Sequence, residues 1–479
     1  MAVIHTGASL TPGKVDLVAS WIADQRWYAA KGRVPALRRL FSWRLDDPDG
    51  EVGIETLILA DDSTTPPVVY QVPVTYRAAP LAGAEHALVG TMEHSVLGTR
   101  YVYDGPHDPV YAAQLFALAR GAVTAASSAE SGATEPAVEG HGAGGPAAVL
   151  VDSRVLTGEQ SNTSIIGIAR EADGSEHPVI TKVFRALADG DNPDVVLQGT
   201  LAGVGCRRVP ASLGSVAGSW PAPDGSGHAR GHLAFAQEFL PGAQDAWREA
   251  LSAARVGESF AARARALGEA TAEVHGILAG HLPTEPPSRE DVADTLAQMR
   301  GRYAAAVAEA PQLARHTDAV AAVHAAADAA AWPDFQRIHG DYHLGQVLEV
   351  PDRGWVLLDF EGEPLRPLAE RNRPDQPMRD VAGMLRSFDY AGGSVELASP
   401  GTSAREWVSQ EQDAFLEGYA AVNGTDPRAR GPLLTAYLVD KALYEVVYEV
   451  RNRPAWAAIP LAAIDRLFTD SDSFKEDSP

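Results

Sequence analysis

The sequence predicts an α+β chain of two or three structural units, and three observations carry that reading. The first 90 residues combine one helical pattern with alternating strand patterns, a second strand-rich stretch follows residue 147, and helices dominate after residue 242. At 479 residues the chain also exceeds the size at which a single hydrophobic core stops growing.

From residue 12 to 28, PGKVDLVASWIADQRWY places Val15, Val18, Trp21 and Ile22 on one helical face, with Pro12 where a helix can begin. VGIETLILA (52–60) and the alternation Tyr70, Val72, Val74, Tyr76 predict two strands separated by a Pro/Thr/Ser turn. Residues 125–147, rich in Ala, Ser, Gly, Glu and Pro, lack a periodic apolar face and predict an exposed connection. Beyond it, VLTGEQSNTSIIGIAR and HPVITKVFRA predict strands on either side of an Asp173-Gly174 turn. Phe260, Ala264, Leu267, Ala270, Val274 and Leu278 then recur at steps of three or four, a helical signature. One interruption, RIHGDYHLGQVLEVPDRGWVLLDFEGEP, contains two short apolar runs, Val347–Val350 and Trp355–Leu358, that predict a hairpin. The resulting division is 1–90, 91–240 with a low-complexity loop at 125–147, and 241–479.

Composition excludes several classes of function. Forty basic against sixty-three acidic residues give a formal charge of −23, which opposes binding to phosphate backbones or anionic lipid. Cys206 is the single cysteine, so an intrachain disulfide and a cysteine-based zinc site are both excluded. No stretch of about 18 uninterrupted apolar residues occurs, and the first residues lack the pattern of a signal peptide. A cytoplasmic protein with no nucleic-acid or membrane partner is the expectation.

The chemistry concentrates in HGDYHLGQ (339–346). Asp341 is followed five positions later by the amide of Gln346, and Asp359 stands thirteen residues further on, at the end of an apolar strand. Phosphoryl transfer needs a carboxylate to orient and deprotonate the acceptor hydroxyl, and oxygen ligands to hold Mg²⁺ against nucleotide phosphates. The order and register are those of a kinase catalytic loop followed by its metal-binding Asp. Gly340 stands where protein kinases have Arg, which points to small-molecule acceptors, and Gln346 stands where they have Asn.

Such chemistry requires a cation for the phosphates, and Lys182, mid-strand in VITKVF, is the candidate. A lysine alternating with apolar residues is more commonly the solvated face of a strand, a reading the downstream motif disfavours. Ser161, Asn162, Thr163 and Ser164 of EQSNTS supply polar donors in place of a glycine-rich phosphate loop. FAQEFLPG (235–242) ends an apolar run where strands give way to helices, so Gln237, Glu238 and Leu240 are candidates for an adenine-binding hinge. In VDKALYEVVYEVRNRPAW, Lys441, Glu445, Tyr448 and Asn452 share one helical face, with Tyr444 and Arg451 beside it, while Val446, Val447 and Val450 mark the inward side. That polar face suits a polyhydroxylated acceptor, although charges at such spacing also make an ordinary salt-bridged helix surface.

These segments resemble the actinobacterial maltokinases. The likeness lies in RIHGDYHLGQVL, WVLLDFEGEPLRPLAERNRPDQPMRDVAGMLRSFDYA and DKALYEVVYEVRNRPAW, and extends to RWYAAKGR, GTRYVYDGPHDPV, EQSNTS, the NPD at 192–194 and QEFLP. The resemblance implies a bilobal kinase fold of the aminoglycoside-phosphotransferase type with an added N-terminal α+β cap domain. It implies a kinase that uses ATP and Mg²⁺ to convert maltose to maltose 1-phosphate for α-glucan (glycogen) synthesis. On that likeness Asp341 is the catalytic base, Gln346 and Asp359 are metal ligands assisted by Glu361, Lys182 contacts phosphate, and His343 joins the acceptor side. An acid is expected at or near position 196 as the partner of Lys182, but Val196 stands there and Asp194 is the nearest candidate. A glucosamine or other aminosugar kinase on the same fold, and a pseudokinase binding module, are the alternatives. The protein is expected to act as a monomer or beside a trehalose-isomerising enzyme.

Overall fold

A computed structural model describes residues 7–145, 147–157, 161–364 and 366–473. The chain divides into two compact units, Met1–Gly199 with Pro210–Pro241, and Thr200–Val209 with Gly242–Pro479. No helix among the described residues is long and apolar enough to cross a membrane.

The first unit is built on two antiparallel sheets. In one, the strands Leu37–Leu45, Gly53–Asp61, Val68–Arg77, Gly98–Asp104 and Leu88–His94 lie side by side in that order. Two of them are the strands expected from residues 52–60 and 70–76, and their alternation comes out as a buried register, with Leu57 opposite Val72 and Leu59 opposite Tyr70. The helix Lys14–Ile22 covers this sheet: Val18 and Ile22 are buried against Leu57, Tyr70 and Val72, and Val15 and Trp21 pack beside them. The face read from the sequence is therefore the face that packs.

The other sheet orders Ala148–Val155, Asn162–Glu171, Glu176–Phe184, His228–Glu238, Ser212–Pro221 and Val138–Gly142. Its central hairpin turns at Asp173-Gly174, where Gly174 adopts a φ of 88° and the Asp173 carboxylate accepts the Ser175 hydroxyl at 2.7 Å. The helix Pro109–Ala119 shares a core with both sheets, through Phe116, Trp43, Ile54, Ile165, Val179 and Phe235. Burying each such side chain contributes roughly 1.5–3 kcal/mol.

The stretch at 125–147, expected as an exposed connection, contributes the edge strand Val138–Gly142 to the second sheet. Its composition hides the reason. A Cβ at Gly140 would come within 1.7 Å of the Leu118 carbonyl, so the absent side chain is what lets this strand lie against the helix 109–119.

The second unit is helical around a small three-stranded sheet, Gln244–Asp245, Val347–Val350 and Gly354–Leu357. The last two form the expected hairpin. Of the periodic set, Ala264, Leu267, Ala270, Val274 and Leu278 are the buried face of the helix Ala261–His281, and Phe260 precedes it. The helices Pro377–Ala398 and Gly431–Asn452 are the two that flank the loop before the hairpin, and Val446 is buried with Val439, Leu443 and Ile464, as the apolar pattern required.

Candidate active site

In the first unit Lys182 is buried, 8% exposed, and its ammonium lies 2.7 Å from the Asp194 carboxylate. It is not on a solvated strand face. The NPD sequence explains how the acid arrives: Asn192 accepts the Asp194 N–H at 2.9 Å and Pro193 opens the helix Pro193–Gly203, so Asp194 sits in its first turn. The partner sought near position 196 is Asp194. A buried cation held by one acid at a helix start is a fixed positive charge.

The polar run opposite is ordered in the same way. Ser164 pairs in register with Lys182 and is fully buried, and the Thr163 hydroxyl accepts from Arg185 Nε at 2.8 Å. Arg185 is itself clamped on Asp104, at 2.6 Å, and lies over the Trp27 ring. Asn162 begins the strand and Ser161 is exposed beside it, while Glu159 and Gln160 of the same run lie outside the described residues. At the proposed hinge, the Gln237 side chain points inward to Gln198, and the Glu238 carboxylate accepts the Ala211 N–H at 3.0 Å. Leu240 follows the strand end, partly exposed.

In the second unit the loop 339–346 is pinned from beneath by Asp380, a buried acid of the helix Pro377–Ala398. Its two carboxylate oxygens accept the N–H groups of His339 at 2.8 Å and Gly340 at 2.9 Å, and one also meets His275 at 3.0 Å. Burial works against this charge, but the His275 hydrogen bond and the Gly340 N–H outweigh it and hold Asp380 below the usual carboxylate range. Gly340 adopts a φ of 84°, a left-handed conformation that explains a glycine immediately before Asp341. Further along, Tyr342 is buried with its hydroxyl 2.8 Å from Thr271, and Ser387 accepts the Leu344 N–H at 3.1 Å.

The two residues expected as metal ligands meet. Gln346 Nε2 donates to Asp359 at 3.1 Å, an arrangement that commits the amide nitrogen and leaves the amide oxygen for a cation. Asp359 carries a φ of 63°, a strained backbone of the kind found at functional positions. Arg371 holds the Glu361 carbonyl at 2.7 Å, fixing the backbone that bears the third candidate ligand. Gln346, Asp359 and Glu361 offer oxygen donors alone, a set that fits Mg²⁺.

Asp341 meets a cation from the helix 431–452. Lys441 Nζ lies 3.2 Å from Asp341 Oδ1 and 3.1 Å from Glu363 Oε1. Burial acts to lower the Lys441 pKa, and the Glu363, Asp341 and Glu445 carboxylates outweigh it and hold it above the ordinary lysine value. Tyr444 stacks on the same ammonium at 5.0 Å, and burial with the Glu363 charge pushes its phenol up to about 12. His343 caps the turn Leu344–Gln346 by accepting the Gly345 N–H, and burial pushes its pKa down.

The rest of the predicted acceptor face divides. Glu445 is taken by the fully buried Arg386, at 2.7 Å. Tyr448 is 42% exposed, with Arg453 over its ring. Asn452 donates to the Tyr448 carbonyl, and Arg451 points outward to Glu309 at 2.7 Å. The structure thus brings Lys441, Tyr444 and Glu445 to the interior beside the loop and leaves Tyr448, Arg451 and Asn452 at the exposed end.

Two family descriptions match this architecture: a maltokinase N-terminal cap domain over residues 21–108 and the phosphotransferase enzyme family over residues 209–433. The chain resembles the maltokinase-like kinases in pairing a cap of that kind with a phosphotransferase domain. Its fold is that of the aminoglycoside-phosphotransferase type, mixed α and β, and it is a phosphotransferase enzyme. This kinase is 29% identical over 347 residues to a glucosamine kinase of Streptacidiphilus jiangxiensis, covering 68% of this chain and 75% of that protein. It is 28% identical to a glucosamine kinase of Mycolicibacterium smegmatis, covering 67% of this chain and 80% of the other. A solved structure of a glucosamine kinase in complex with glucosamine, ADP and inorganic phosphate aligns over 95% of this chain and 99% of its own, with a TM-score of 0.66 and 25% identity.

Sequence reasoning missed four residues of this kinase that the geometry singles out: Asp380 beneath the loop, Glu363 behind Lys441, Arg386 against Glu445, and His275 against Asp380. Asp380 had a signal, an acid inside the apolar run Met378, Val381, Ala382 of a helix. The other three read as ordinary surface charge.

Proposed function

We propose that this kinase transfers the γ-phosphoryl group of ATP to the anomeric hydroxyl of maltose, giving maltose 1-phosphate and ADP. The charge balance of the helix 431–452 carries the choice of a neutral sugar. Each of its three carboxylates is already ion-paired: Asp440 with Arg302, Glu445 with Arg386, Glu449 with Arg453. The side chain it presents to the catalytic acid is a cation, Lys441. An ammonium sugar needs an unpaired carboxylate and would meet Lys441 instead; a neutral sugar needs neither.

In the reaction, Asp341 accepts the proton of the acceptor hydroxyl as its oxygen bonds to the γ-phosphorus, and the bond from that phosphorus to the bridging oxygen breaks with its electron pair leaving on ADP. Lys182, held by Asp194, takes nucleotide phosphate oxygens, with Ser161, Asn162, Thr163 and Ser164 as further donors and Gln237 to Leu240 offering backbone groups to adenine. Gln346, Asp359 and Glu361 would hold Mg²⁺, which would supply neutralisation of the charge developing on the phosphates. His343, Tyr444 and Tyr448 line the acceptor side. The product is an activated glycosyl donor for α-glucan (glycogen) synthesis, and an ATP-consuming enzyme with a single cysteine suits the cytoplasm.

A second reading, phosphorylation of glucosamine, is favoured by the names of the relatives at 29% and 28% identity. One experiment separates the two. The protein is incubated with ATP, Mg²⁺ and maltose, glucose, glucosamine or trehalose, ADP release is followed, and the phosphate is located by NMR. Preferred turnover of maltose at its anomeric position is expected; preferred turnover of glucosamine overturns the maltose reading.

A further inference from the structure

We propose that Lys441 is a positioning residue for Asp341, locked in place by the buried Glu363. The proposal rests on the reading of Asp341 as the base of phosphoryl transfer. The hydrogen bonds from Asp380 fix the backbone of His339 and Gly340 but do not reach the Asp341 carboxylate, whose rotation about its own side-chain bonds is a separate freedom. Lys441 removes it by binding one oxygen, Oδ1, at 3.2 Å. The other oxygen, Oδ2, is then left in a fixed plane to receive the acceptor proton.

A lysine side chain is itself too flexible to serve as a fixed point, with about 2 kcal/mol of rotamer entropy. Glu363 supplies the missing constraint. It is 5% exposed and stands 3.1 Å from the same ammonium. The Tyr444 ring closes another side of the ammonium at 5.0 Å. Two carboxylates share one ammonium, Glu363 on its buried side and Asp341 on its more open side. Lys441 therefore acts through Asp341 and not by gripping either substrate.

The test uses the full chain and whichever sugar of the panel the wild type phosphorylates fastest, or water as acceptor where no sugar reacts. A preference for glucosamine would overturn the maltose reading and leave this one standing. Lys441→Met is expected to lower kcat about 10²-fold, the cost of a misplaced catalytic group, with KM for ATP and for the sugar nearly unchanged. Lys441→Arg, which keeps the charge and can reach both carboxylates, is expected to recover most of that loss. Glu363→Gln should lower kcat in the same manner, and the double variant Glu363→Gln with Lys441→Met should lose no more than Lys441→Met alone. Wild-type turnover in Lys441→Met, a loss confined to either KM, or additive losses in the double variant would each overturn the proposal. ADP binding by calorimetry reports folding, and if Lys441→Met does not fold, the kcat-to-KM split in Lys441→Arg and Glu363→Gln decides.

Discussion

The loop 339–346 and the helix 431–452 both bring polar side chains to Asp341, and they obey different rules. In the loop, position along the chain is position in space: Asp380 and Ser387 take the N–H groups of His339, Gly340 and Leu344, and the Gln346 carbonyl accepts the Leu358 N–H at 2.9 Å. With the backbone pinned at both ends, the spacing from Gln346 to Asp359 translates directly into a contact. In the helix, four residues on one predicted face have two different fates. Lys441 and Glu445 are drawn into buried ion pairs, while Tyr448 and Asn452 remain exposed. A loop motif carries its chemistry in its own sequence, whereas a helix face acquires its chemistry from the helices packed on it.

Substitutions can break or sharpen that contrast. The largest effect is expected at Asp341→Asn, which keeps the shape and removes the proton acceptor: turnover should fall at least roughly 10²-fold with nucleotide binding retained, read by ADP release and calorimetry. Near-normal turnover would remove the loop from the reaction. Asp359→Ala deletes the acid proposed to bind a divalent ion and should abolish the dependence of nucleotide binding on Mg²⁺, measured by titrating the ion in the binding assay.

Asp380→Ala tests the scaffold under the loop. It leaves two buried backbone N–H groups and His275 without their acceptor, and is expected to cost about 3–5 kcal/mol of stability in denaturant titration. The same buried acid predicts the pH response. Asp375, Asp380 and Glu363 all have folded pKa values below their unfolded ones, so the stability they contribute is present above the unfolded carboxylate range and is lost as pH falls toward the folded values. Melting followed from pH 7 downward should therefore show stability falling below about pH 4; a midpoint indifferent to acid would contradict those buried charges.

On the helix the effects should separate along its length. Glu445→Ala strips a partner from the buried Arg386 and should destabilise the protein before it reports anything about sugar. Tyr448→Ala removes a ring that lies under Arg453 and should raise the apparent constant for the sugar only about five-fold, the scale of one aromatic contact, leaving that for ATP unchanged. Equal effects of the two substitutions on both substrates would erase the division between the inward and outward ends.

Much of this was legible in the chain. The strands 53–61 and 68–77, the Asp173-Gly174 hairpin, the buried face of the helix 261–281 and the hairpin after Gln346 follow from periodicity, because alternation and three-to-four spacing are statements about which side faces a core. The meeting of Gln346 with Asp359 was legible because the two stand at either end of a hairpin whose register is set by the same apolar runs. The strand at 138–142 was not, since its membership in a sheet depends on glycines that allow backbone to touch the helix 109–119.

What the sequence determined alone was a phosphotransferase motif in a chain of two architectures, strand-rich and then helical. What only the tertiary structure decided was the pairing of charges: Asp194 rather than a residue at 196 for Lys182, Asp380 for the loop, Glu363 for Lys441, Arg386 for Glu445. The reason is physical. An apolar pattern is read against water, which is the same everywhere, but a buried charge is stable only against a particular partner, and those partners lie twelve to seventy-eight residues away along the chain.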